Sequence, residues 1–203
     1  MKSLSEIETV SKRASKAAGF SWGVAEEVGK NVRLLEMFGL PGIKNLNNFF
    51  KSKKNFFFEN LIFINKDNKK DNTQFCPIIT GTSFLDQIRD IEKFGEVNFK
   101  KIGYPLLFLP FVSRASEVIG KRLFLKLDKK EFLLNFNNNI YSNFFKNDIV
   151  ELAENVSIKF IDNSDLFSNT EWQELYKLSE NTFVEESDSL KRSGAGAGLT
   201  DND

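Results

Sequence analysis

The chain has 203 residues, enough for one domain of moderate size or for one domain with a small helical appendage. Its 28 basic and 28 acidic residues balance, so no general attraction to nucleic acid or to an anionic membrane is expected. It has no histidine and one cysteine, Cys76, which excludes Ser-His-Asp and Cys-His catalysis, an internal disulfide framework and any ordinary zinc site.

Ser3-Leu4-Ser5-Glu6 has the form of a capping box. Leu4, Ile7, Val10, Ala14, Ala17 and Ala18 then recur on one face of a helix that Gly19 ends. A second helix is expected from Trp22 to Phe38, capped by Ser21, with Val28, Val32 and Leu35 buried and Gly39 and Pro41 as its stop. Gly23 and Gly29 each cost this helix about 1 kcal/mol relative to Ala, which implies a close approach. The first helix, nesting through Ala14 and Ala18, is the simpler source of that approach. A ligand or partner surface lined by Trp22, Glu26, Glu27 and Arg33 is the sharper one. Glu26 and Lys30 have the spacing of an exposed i,i+4 pair.

Ile43, Leu46, Phe49 and Phe50 continue the helical layer, and Lys51 to Lys54 reads as loop solubility. Phe56-Phe57-Phe58 and Leu61 to Ile64 form an apolar run that periodicity alone does not assign to helix or strand, followed by a polar loop over 65–72. Cys76 to Gly81 reads as a short buried strand, and Thr82 or Ser83 as the cap of a helix through Leu85, Ile88 and Ile91. A strand begins at Val97 and Phe99. An extended piece follows at Tyr104-Pro105, then a helix from Phe111 to Ile119 ending at Gly120. Leu123–Leu127 and Glu131–Phe136 pair as a hairpin around Asp128, Val156–Phe160 adds a strand, and Ser168–Glu171 is a second capping box opening a helix with Trp172, Leu175 and Tyr176.

The pattern is α+β: an N-terminal helix pair, a central mixed or antiparallel sheet, a C-terminal helix and a Gly-rich tail. Residues 1–190 are expected to form a single domain with a helical segment over 1–50, and 191–203 a separate tail. In that tail Gly194, Gly196 and Gly198 free backbone N–H groups to approach an anion, with Arg192, Thr200, Asp201 and Asp203 beside them. No Lys-Ser/Thr follows the glycines, so this is not a phosphate-binding P-loop. Cys76 reads as a small buried hydrophobe.

The segments Ser3–Glu8, Gly19–Gly23, Ala25–Glu27 and Gly39–Gly42, with Cys76-Pro77, Tyr104–Leu107 and the ending Gly194–Asp203, together resemble an uncharacterised bacterial protein family of unknown function. That resemblance implies a cytoplasmic bacterial protein and no particular activity. Residues 45–72 and 135–147 depart most from it.

The expectation drawn from the residues is a non-catalytic accessory or binding protein whose N-terminal helices and C-terminal tail form one recognition surface. Its partner would be another protein or a small anionic metabolite, without nucleic acid, membrane or cofactor. The alternative is a small-molecule enzyme, with Glu26 or Glu27 as base and the tail amides holding an anion.

Overall fold

A computed structural model describes residues 2–143 and 150–182. The chain divides into two compact units, Met1–Asn163 and Ser164–Asp203.

The first unit opens with three helices, α1 (Leu4–Ala17), α2 (Trp22–Met37) and α3 (Gly42–Lys53). Ser3 and Glu6 form the capping box of α1 in full, each satisfying the other's backbone N–H. Gly19, at φ +97°, supplies the left-handed residue that lets the Phe20 N–H reach back to the Ser15 carbonyl at 3.2 Å. Ser21 then caps α2 through the Val24 N–H. Gly29 is where α1 and α2 come closest: a Cβ there would lie 2.7 Å from the Glu8 carbonyl oxygen and 3.1 Å from Lys12 Cβ. The close approach expected from sequence therefore comes from α1, through Glu8 and Lys12 in place of Ala14 and Ala18. Gly23 faces open space.

Three two-residue strands follow, β1 (Phe58–Glu59), β2 (Asp67–Asn68) and β3 (Gln74–Phe75). The segment after them corrects the sequence reading. Residues expected as a strand form a helix, α4 (Pro77–Asp86), with α5 (Ile88–Ile91) behind it. Pro77 at the first helical position suits a helix start, and Gly81 admits the Phe111 ring, to which an added Cβ would approach within 2.2 Å. Tertiary packing thus outweighs the β-branched local composition.

β4 (Glu96–Gly103) leads through a 3₁₀ turn (Pro105–Leu107), where an extended piece was expected, into α6 (Leu109–Ile119), ended by left-handed Gly120. β5 (Arg122–Leu127), β6 (Lys130–Asn135), β7 (Asn139–Ser142) and β8 (Leu152–Ile161) complete the sheet. Its order is β1-β3-β4-β8-β5-β6-β7, with β2 also on β4. The pairs β1–β3, β3–β4 and β2–β4 are parallel and those from β4 to β7 antiparallel, so the sheet is mixed.

Leu123, Leu125, Leu127, Phe132 and Leu134 alternate onto one buried face. Phe84 of α4 and Phe108, which caps α6, meet Phe99 of β4 there, all three ring pairs being edge-on at 5.5–6.4 Å. The fold class is α+β, and in the first unit α6 packs on β5 and β6 of the sheet. In the second unit α7 (Asn169–Glu180) starts at the expected capping box of Ser168 and Glu171 and carries exposed Trp172, Leu175 and Tyr176.

Candidate functional site

Two of the clefts that border α2 hold the residues of interest. The larger, of about 410 Å³, opens where the α1–α2 turn, the end of α3 and the start of α4 meet. Its geometry follows from local sequence. The glycine-dependent turn at Gly19 presents Phe20, and the Ser21 cap turns the chain so that Val24 faces the same space. α3 ends at Lys53, and the chain runs through Phe56 and Phe57 into β1, where Phe58 is buried against Phe49 at 5.1 Å between ring centroids. Ile79 of α4 closes the far side.

Phe56 and Phe57 are 64% and 76% exposed although they border this apolar space. Adjacent exposed aromatics on a concave surface mark a binding site more often than an isolated exposed side chain does. The floor is Cys76, 2% exposed. Burial pushes its thiol above the ordinary value, against opposing backbone hydrogen bonds from Ile79 and Ile78 and the charge of Lys53. The floor is therefore a neutral, apolar thiol at pH 7 and not a nucleophile.

Among the described residues one charged side chain borders the cleft, Lys53. Its ammonium lies 4.2 Å from the centroid of the Phe20 ring and donates to the Ala18 carbonyl at 3.2 Å.

The second cleft, about 290 Å³, is polar. Lys30, Arg33, Arg114 and Asn137 line it over Leu34 and Met37. Asn137 arrives there on the three-residue β6–β7 loop, where Phe136 and Asn137 both have positive φ, 50° and 59°, and the Asn138 N–H closes the turn on the Asn135 carbonyl at 3.0 Å. Two serines of α6 hold that turn: Ser116 Oγ accepts from the Phe136 N–H at 2.8 Å, and Ser113 Oγ donates to Asn137 Oδ1 at 3.4 Å.

The cations of this second cleft are matched by carboxylates. Arg114 pairs with Glu27, Arg33 with Glu8 at 3.0 Å, and Lys30 with both Glu26 and Glu27 at 3.2 Å. Lys12 also reaches Glu26 at 3.1 Å. The hydrogen bonds of Lys12 and Lys30 hold Glu26 below its ordinary pKa. Glu27 is also lowered: burial raises it, and the bonds and charges of Arg114 and Lys30 outweigh that. Carboxylates so held are poor bases near neutral pH.

Of the residues singled out by sequence, Glu26 and Glu27 come together on Lys30 in one charged network, whereas Arg33 lines the same cleft as Lys30 but pairs separately with Glu8. Trp22 does not join them. It stands 58% exposed at the start of α2, with the Lys16 ammonium 5.5 Å from its ring, and lines neither cleft. Arg192, Gly194, Gly196, Gly198, Thr200, Asp201 and Asp203 lie outside the described residues. Sequence reasoning passed over Phe20, Lys53 and Arg114. The Phe56-Phe57-Phe58 run, of which the first two rings stay exposed, was the one available signal for the larger cleft, because a solvent loop has no use for three consecutive aromatics.

Among the described residues no three His, Cys, Asp or Glu side chains gather as a metal site, and no helix is long and apolar enough to cross a membrane. No curated protein and no solved structure matches the chain. Residues 2–75, which carry α1 to β3 and the lining of the larger cleft from Gly19 to Asn60, match the model of a protein family of unknown function, DUF3726.

Proposed function

We propose that this protein is a non-catalytic binding protein that seats the apolar part of a small molecule in the cleft between the α1–α2 turn, α3 and α4. The observation that carries this reading is the pair Phe56 and Phe57, left in solvent at the mouth of an apolar space whose volume falls in the range of small-molecule sites. Seating an apolar group there would remove exposed aromatic surface from water, worth about 25 cal/mol per Å² of apolar area. The enzyme reading, with Glu26 or Glu27 as base, is less well supported: both carboxylates are engaged by cations and shifted away from basicity.

The test is binding of the neutral apolar dye Nile red, followed by fluorescence. Wild-type protein should bind it saturably. The double substitution Phe56→Ser and Phe57→Ser should weaken binding at least about fivefold while leaving the unfolding midpoint within the small range typical of exposed substitutions. Binding that is absent, or unchanged in the double variant, would refute the reading.

A further inference from the structure

Among the described residues the apolar cleft has a single cation at its rim, Lys53, and its setting differs from that of the cations grouped at the second cleft. Lys12, Lys30, Arg33 and Arg114 each pair with a carboxylate. Among the described residues Lys53 pairs with none, and no Asp or Glu lines the cleft. Its ammonium has three N–H donors; one is directed to the Ala18 carbonyl, and the group rests over the Phe20 ring. A buried neutral thiol beneath adds no negative charge.

We propose that the ligand of this cleft is an aromatic monocarboxylic acid, its ring among Phe20, Phe57 and Ile79 and its carboxylate on the Lys53 ammonium. This rests on the binding function proposed above and names its ligand class. The chemistry sets an order. An acid gains a charge-assisted hydrogen bond, its amide gains at most a neutral one, and the corresponding amine meets like charge. One cation also favours one carboxylate over two. Lys53 has another evident role, since a cation beside the last carbonyls of α1 complements that helix end. That role alone predicts an effect of substitution on stability and none on which ligand is chosen.

The experiment uses three probes of one shape and different charge, indole-3-acetate, indole-3-acetamide and tryptamine, each displacing Nile red from the full chain. Wild-type protein should bind the acid about tenfold more tightly than the amide, and the amine most weakly, with the acid's advantage shrinking as salt is raised. Lys53→Met should bring acid and amide together by weakening the acid far more than the amide, and Lys53→Arg should keep the acid's advantage. Equal binding of acid and amide by wild type, or a preference that persists in Lys53→Met, overturns the carboxylate assignment while leaving the cleft a binding site. Failure of Nile red to bind in the first place removes both.

Discussion

Two glycines of α2, six positions apart, should respond in opposite directions to the same substitution. Gly29→Ala puts a methyl group 2.7 Å from the Glu8 carbonyl oxygen and 3.1 Å from Lys12 Cβ, where ordinary contact begins near 3.4 Å. Neither neighbour can swing aside, because one is main chain inside α1 and the other is attached directly to it. The helices must separate by several tenths of an ångström, and because neither neighbour yields, the overpacking cost falls in the upper part of the usual range, roughly 2–3 kcal/mol. Ala regains up to about 1 kcal/mol of helix propensity, so the net loss is about 1–2 kcal/mol. Gly23→Ala meets nothing within 4 Å and should gain about 0.5 kcal/mol through propensity and a less flexible unfolded chain. For a chain of this size these changes correspond to a Tm lower by about 2–8 °C for Gly29→Ala and higher by about 1–2 °C for Gly23→Ala. Urea unfolding followed by far-UV circular dichroism provides the free energies directly. A Gly29→Ala variant as stable as wild type or more so would show that α1 does not lie against α2 at this point.

Three further outcomes are expected from urea unfolding. Ser116→Ala removes the buried acceptor of the Phe136 N–H and should cost about 1–2 kcal/mol; an unchanged midpoint would mean that the β6–β7 turn is held by other means. Phe49→Ala, at a fully buried ring packed on Phe58 and Tyr104, should cost about 3–5 kcal/mol and also weaken Nile red binding; a loss under about 1 kcal/mol would contradict that packing. Arg114→Met should cost about 1–2 kcal/mol at pH 7 by freeing a half-buried Glu27. Because the folded pKa of Glu27 is depressed, its contribution is present above the unfolded value near 4.5 and lost as pH falls through the lower folded value, so the gap between wild type and variant should narrow below about pH 4.5. A gap independent of pH between 7 and 3 would remove the ion pair as its cause.

Local signals in the sequence located most elements whose ends are fixed locally. Both capping boxes form as the residues imply, at Ser3 with Glu6 and at Ser168 with Glu171, and the hairpin around Asp128 is in place. Asp128 stabilises that turn by accepting from the Glu154 and Asn155 N–H groups of β8, a long-range feature that spacing does not disclose. The strand expected over Cys76–Gly81 is instead the first half of a helix: Ile78, Ile79 and Thr80 favour strands locally, while the helix is secured by Pro77 at its start and by Phe111 filling the notch at Gly81. The two-residue strands β1 to β3 are too short to show a period of two.

The site was less legible for the same reason. Glu26, Glu27 and Arg33 share one helix and could be grouped from their spacing, whereas Arg114 reaches Glu27 across 87 positions. Lys53, among other lysines, looks like surface solubility until the fold brings it to Ala18, 35 positions earlier, and to the ring of Phe20. A side chain whose role depends on such contacts carries no local mark.

The most direct test of the binding cleft is to follow backbone amide resonances of the protein during titration with indole-3-acetate. Saturable shifts concentrated at Gly19–Val24, Lys53–Asn60 and Cys76–Ile79 are the predicted result. Shifts concentrated at Lys30–Met37, Arg114 and Asn137 would place the ligand in the polar cleft, and their absence everywhere would mean that the aromatic cleft does not bind this class of molecule.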